Sequence, residues 1–209
     1  YLAVPTIIWI FDTLNFLVHL LISSFNMEKL IWFICDGLSG AVKMQGNPVE
    51  TVWETNEGQF HDWLTGTSNE EVYHYWRAHF DGDLLPDRAA IDPLDIALHM
   101  SNVYLMDVLG SGGADGFRNR LFGTELVTVV GMDATGKTLA EGWPGERGIE
   151  LARQHEEVVQ RGEANLTRFN LFYPNREYVA TQRMLLPLRY GGQSVGILMG
   201  HHHFFGAKI

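Results

Sequence analysis

The 209-residue chain is poor in cysteine and in positive charge, and both shortages exclude something. A single cysteine, Cys35, rules out an intrachain disulfide framework and a cysteine-based metal cage. Its simplest reading is a small buried hydrophobe rather than a nucleophile. With 15 basic residues against 25 acidic ones the formal charge is −10. No stretch gathers Lys and Arg on one face, so the basic footprint needed for a phosphate backbone is missing and no nucleic-acid partner is expected. Catalytic motifs are missing as well: there is no G-x-S-x-G, P-loop or H-x-x-x-H pattern, and no phosphotransfer histidine box, ATP-binding lid or cyclase motif. The HEEVV stretch at His155 lacks the second histidine of a zinc-protease helix. GSGGADG, from Gly110 to Gly116, joins two strand-like runs and reads as a hairpin turn rather than a dinucleotide loop. The reading is therefore of a non-enzyme, with no internal repeat and no low-complexity tract.

What is present is apolar material for one sizeable core, at 46% hydrophobic and 12% aromatic residues. It is unevenly spread. From Leu2 to Phe25 the one formally charged side chain is Asp12, and the stretch matches the roughly 20 apolar residues of a membrane crossing. Asp12, Asn15 and His19 interrupt it, and a central Asp costs roughly 2.5 to 3.5 kcal/mol on insertion. Without a basic leader region or a cleavage site, a secretory signal is not indicated. A membrane anchor, an extraneous leader ahead of a start at Met27 or Met44, and a packed helix all stay open. The chain thus divides into a hydrophobic leader (1–26), a linker (27–67) with a short helix around Gln59 to Leu64, a domain (68–206) and a tail (207–209). A cytoplasmic location is expected, with membrane attachment only through residues 2–25.

Within the domain, Asn69 precedes EEVYHYWRAHF, where Val72, Tyr75, Trp76, His79 and Phe80 recur at helical spacing. Asp92 and Pro93 predict a second, short helix to about His99. Two β-type runs flank the Gly-rich turn, and Thr124 then caps a short helix closed by Gly131. Another helical piece ends near Trp143. The longest helix is PGERGIELARQHEEVVQRG, with Gly162 as terminator. Three strands come after it, NLTRFNLFY, REYVATQRMLLPL and QSVGILMGHHHFF, joined by turns at Pro174-Asn175 and Gly191-Gly192.

The stretch FRNRLFGTELVTVVGMDATGKTL resembles the consensus of a family of bacterial PAS-domain proteins, at Phe117, Arg118, Arg120, Gly123, Thr124, Gly131, Asp133 and Gly136. Upstream, Trp76-Arg77, then Pro86, Arg88, Asp92 and Pro93, then Tyr104-Leu105 match as well. The resemblance implies an α+β, PAS-like fold: a five-stranded antiparallel sheet in the order 2-1-5-4-3, with helices on one face and an N-terminal helical extension. It also implies a sensory or ligand-binding module of signal transduction. The second sheet face is left for self-association, and a homodimer is expected there through Tyr75, Trp76 and Phe80.

The expected ligand is a small, mostly apolar molecule, held by Tyr104, Leu105, Arg120, Thr124, Trp143, Met199 and His201. No catalytic residue, metal ligand or particular cofactor is assigned. On a strand, His201 and His203 share one face and His202 points away. Two imidazoles would hold a metal or haem only if a third ligand converged, with His99 and His155 as candidates. Arg120 and Asp133 are expected to pair across the pocket rim. Two other readings stand beside this one. The first is an enzyme using Tyr104, Arg120, Asp133 and His201 for proton transfer or hydrolysis. The second is a ligand-free interaction module whose space between Leu105, Leu121, Trp143 and Met199 is filled by bulky side chains.

Overall fold

The structure is a computed structural model that describes residues 49–110, 112–171 and 179–206. The hydrophobic leader, Cys35, the turn at Pro174-Asn175 and the tail lie outside the described residues. Among the described residues no helix is long and apolar enough to cross a membrane.

The described chain runs through strand β1 (Glu50–Trp53), helix α1 (Glu57–Leu64) and helix α2 (Ser68–Ala78). The hairpin β2 (Val103–Val108) and β3 (Phe117–Phe122) comes next, then α3 (Thr124–Val130), α4 (Leu139–Gly142) and α5 (Glu146–Arg161). Strands β4 (Asn165–Leu171), β5 (Val179–Tyr190) and β6 (Gln193–Phe205) complete it. All strands join one antiparallel sheet in the order β1-β4-β5-β6-β2-β3. The last five of these carry the anticipated 2-1-5-4-3 order, since β2 to β6 are its five strands. The sixth, β1, adds itself to the edge of β4.

Residues 50–67, expected as linker, therefore supply a strand of the sheet and a helix packed on it. Val52 of β1 enters the core, as do Phe60, Trp63 and Leu64 of α1. The helix has a visible apolar spacing, but the four-residue strand is too short to show a period and exists through its pairing with β4.

Helices cover both faces of the sheet, not one. On the first face α1 and α2 pack against Leu166, Met184, Leu186, Leu188, Ile197 and Met199. Trp76 of α2 is 0% exposed and donates its indole N–H to the Pro187 carbonyl at 3.1 Å. Its ring meets Phe80 edge-on, with centroids 4.7 Å apart. The aromatic helix expected at a dimer surface thus folds back onto its own sheet, because covering that face inside one chain removes more apolar area from water than leaving it bare. On the second face α3, α4 and α5 pack with Tyr104, Met106, Phe117, Leu185 and Leu198.

Local expectations divide. Gly131 and Gly162 close α3 and α5 at φ of +76° and +62°, the left-handed conformation a helix-ending glycine takes. Thr124 is not a cap: Gly123 holds that position, and Thr124 is the first residue of α3 with its carbonyl accepting from the Thr128 hydroxyl. Asp92 does accept from the Leu94 N–H at 2.9 Å, but the residues beyond it form a turn and a 3-10 helix (Ala97–Asn102) rather than an α-helix. A capping box at Thr138 and Glu141 starts α4, each side chain bonding the other's backbone N–H.

The contact of α2 with the sheet yields a stability prediction. Trp76→Ala is expected to lower the unfolding free energy by about 3 to 5 kcal/mol. Trp76→Phe should cost less, since it keeps the ring and loses the bond to Pro187. Urea unfolding checks both, and equal midpoints for Trp76→Ala and wild type would show that α2 is not part of the cooperative unit.

Candidate ligand-binding site

Strand alternation sends Tyr104 and Met106 of β2, Phe169 of β4, Arg183 of β5 and His202 and Phe204 of β6 toward the second face. Opposite them stand Leu126 and Val129 of α3, Leu139 of α4 with Trp143 just after it, and Arg147, Leu151 and His155 of α5. Together with Asn119 and Phe122 of β3 they enclose a cavity of about 70 Å³.

A bulge in β3 determines which of its residues reach the cavity. Leu105 pairs with Leu121 and Met106 with Asn119, so Arg120 is the extra residue with no partner across the ladder. Asn119 and Phe122 consequently both line the cavity, while Leu121 packs against the opposite core. Arg120 turns outward, donating from Nε to Asp107 at 2.7 Å and lying over the Tyr190 ring at 4.6 Å.

The polar groups inside form a connected set. The His155 Nδ1–H donates to the Leu151 carbonyl at 2.6 Å, because a carbonyl can only accept. That leaves Nε2 as an acceptor for the Tyr104 hydroxyl at 3.2 Å. Burial and the Arg183 charge push the His155 pKa down to about 3, so its ring is neutral. Burial likewise pushes the Tyr104 hydroxyl up to about 12, against the opposing effect of Arg183. Burial, Arg183 and the neighbouring histidines also hold His202 well below its ordinary value.

Arg183 is 2% exposed and sits directly across the ladder from His202. One terminal nitrogen donates to Gln154 Oε1 at 2.6 Å, and its Nε has no partner. Gln154 passes the connection to Glu150 Oε1 at 2.7 Å, and Glu150 is held in turn by Arg153.

Gly200 admits Tyr104 to this arrangement. A Cβ at position 200 would stand 2.0 Å from the Tyr104 ring, so no side chain fits between the ring and β6.

Residues 64–201, two thirds of the chain, match the family described as PAS domain. The chain belongs to the PAS domain family. No curated protein sequence matches it. A solved structure described as an RNA-binding light-oxygen-voltage receptor aligns with 75% of this chain and 38% of that one, at 14% identity and a TM-score of 0.43. The chain thus spans little more than a third of that receptor's length.

Of the seven residues expected to bind ligand in this PAS domain, Tyr104 and Trp143 line the cavity. Leu105 and Met199 belong to the core of the other sheet face. Consecutive strand residues such as Tyr104 and Leu105 cannot share a face, so the two could not both be lining residues. His201 lies on that far side too, with Nδ1 bonded to Asn69 Oδ1 at 2.6 Å and its ring 5.4 Å from His99. Arg120 points outward at the bulge, and Thr124 is exposed on the first turn of α3. Nor does Arg120 pair with Asp133, whose carboxylate accepts from the Thr135 N–H at 2.9 Å.

The alternating parity of the three histidines holds, but the face is the reverse of the one expected: His202 reaches the cavity. His203 instead accepts from the Ser68 N–H at 3.2 Å. Among the described residues no three His, Cys, Asp or Glu side chains are grouped to hold a metal ion. Arg183 is a site residue that sequence reasoning missed, and its signal is a charge followed directly by the apolar run Met184 to Leu188.

Histidines held in the interior with lowered pKa values make folding acid-sensitive. For His155 and His201 the folded pKa is about 3 and the ordinary value 6.5, so the unfolded chain binds a proton first as pH falls. Their stabilisation is complete above pH 6.5 and is lost progressively below it, each group adding a slope of about 1.4 kcal/mol per pH unit. Urea unfolding at pH 7.5, 6 and 5 should show this decline, with His155→Gln shallower by one proton. A flat profile would contradict neutral burial.

Proposed function

We propose that this PAS domain is a sensory module that binds a small molecule in the cavity between the sheet and α3–α5, and that occupancy is read out at the surface of α5. The observation that carries the reading is the cavity itself. It is largely apolar along Met106, Phe122, Leu126, Val129 and Trp143, and it is joined by a few buried polar groups, the usual composition of a small-molecule site. Its volume of about 70 Å³ has room for roughly five water-sized groups. The reading as a ligand-free module with a filled core is less well supported. Of the side chains expected to close the space, Leu105, Leu121 and Met199 pack on the other face.

A route outward supports the signalling part. From the cavity wall, Arg183 bonds Gln154, Gln154 bonds Glu150, and Glu150 bonds Arg153, which also bonds Glu157. A ligand that re-aims the guanidinium changes the hydrogen bonding of one helix face from a buried end to an exposed one. The enzymatic reading has no comparable support: Tyr104 is in the cavity, Arg120 is outside it, Asp133 is exposed and His201 is across the sheet. Dimerisation would require a surface other than the buried face of α2.

Native mass spectrometry of protein purified from its host tests the binding role. A small-molecule adduct that is lost on denaturation is expected. Leu126→Trp, which fills the cavity, should abolish the adduct while leaving the circular-dichroism spectrum in place. A bound compound at 100 times its Kd adds about 2.7 kcal/mol to stability, a rise in melting temperature of roughly 5 to 10 °C at this size. Bare protein whose melting temperature no compound in a metabolite panel raises would overturn the proposal.

A further inference from the structure

We infer that the ligand is a small organic carboxylate, its acid group seated on Arg183 and its apolar body lying along Phe122, Leu126, Val129 and Trp143. This deepens the binding role proposed above and rests on it. The chain as a whole carries a formal charge of −10, yet the cavity wall reverses the sign: among the described residues it contains Arg147 and Arg183 and no Asp or Glu. A cation in so acidic a protein is ordinarily matched by a carboxylate, and at 2% exposure an unmatched one is destabilising. Among the described residues Arg183 bonds the Gln154 amide and the Tyr104 phenol, both neutral, and its Nε is buried with no partner. The nearest acid along the chain of bonds, Glu150, is reached only through Gln154 and is already held by Arg153 at 2.7 Å.

Glu150 acts on the guanidinium through its charge but not through a hydrogen bond, and the groups lying against the guanidinium among the described residues are neutral. They are the phenol of Tyr104, the imidazoles of His155 and His202, and the ring of Phe169 with its centroid 5.7 Å from the guanidinium carbon. Both imidazoles are kept neutral by burial and by the arginine itself. What is missing is an anion, and a planar guanidinium matches a planar carboxylate through two parallel N–H bonds. Arg147 also faces the cavity and makes no hydrogen bond or ion pair among the described residues, a second guanidinium open to the same anion.

A further polar atom narrows the class. The Asn119 side chain donates to the Lys137 carbonyl at 3.3 Å, while its Oδ1 is buried without a partner at the cavity wall. An O–H or N–H on the ligand body would satisfy it. A volume of about 70 Å³, under half of the roughly 150 Å³ that takes a benzene ring, limits the body to a short or branched chain. Short hydroxy acids fit these constraints better than aromatic acids, fatty acids or nucleotides.

The probes are isobutyrate, lactate and 3-hydroxybutyrate, each with its neutral amide, titrated calorimetrically into the full chain at pH 7.5. At least one acid should bind about tenfold or more tightly than its amide. Arg183→Met should remove that preference, and without ligand it should be as stable as wild type or more so, because it deletes an unmatched buried charge. Arg183→Lys, which keeps the charge and loses the fork, should bind the acid more weakly than wild type and guards against a folding defect in the first variant. Amides that bind as well as their acids, or an unchanged acid preference in Arg183→Met, would overturn the carboxylate and leave the binding role standing. Failure of acids and amides alike, with a bare native mass, would remove both.

Discussion

Strands β5 and β6 are buried on both faces over most of their length, and this constraint governs the rest of the molecule. In a one-sided sheet, side chains divide between core and water. Here they divide between two interiors of different character. One holds α1 and α2 over a tightly filled layer that includes Trp76, and the other holds α3 to α5 over a cavity. A shift of one residue along a strand moves a group from one interior to the other. The bulge at Arg120 makes such a shift, and it brings Asn119 and Phe122 together on the cavity side.

The same constraint explains why the polar groups at the centre are so strongly perturbed. Arg183, His155 and Tyr104 have almost no access to solvent, so each must find its partners within the protein. The histidine and the phenol do so as neutral groups, bonded to each other and, through the histidine, to the Leu151 carbonyl. The arginine is only partly bonded: among the described residues its Nε has no partner.

Much of the architecture is legible along the chain. The motif from Phe117 to Leu139 and the order of runs point to the family and to five of the six strands, because helical spacing, glycine terminators and β-rich runs are local signals. Strand β1 is not legible, since four residues carry no period and its pairing with β4 is a contact between distant parts of the chain. The site is legible at two of the seven residues expected. Tyr104 and Trp143 are found through residue type, whereas Leu105, Met199 and His201 fall on the other face because nothing local says which side of a strand meets a cavity.

The sequence by itself determined the alternation of His201, His202 and His203, which rests on local pattern, and the family through its motif, the antiparallel strand order being what that resemblance implied. Only the tertiary structure decided which face encloses the cavity, where the bulge resets the register of β3, and that Arg183 lies in the cavity wall bonded to Gln154. Each of these depends on residues brought together across the sheet: Arg183 meets Gln154 from 29 positions away, and Tyr104 meets His155 from 51. Contacts of that kind are a property of the assembled interior, and no single stretch of the chain carries them.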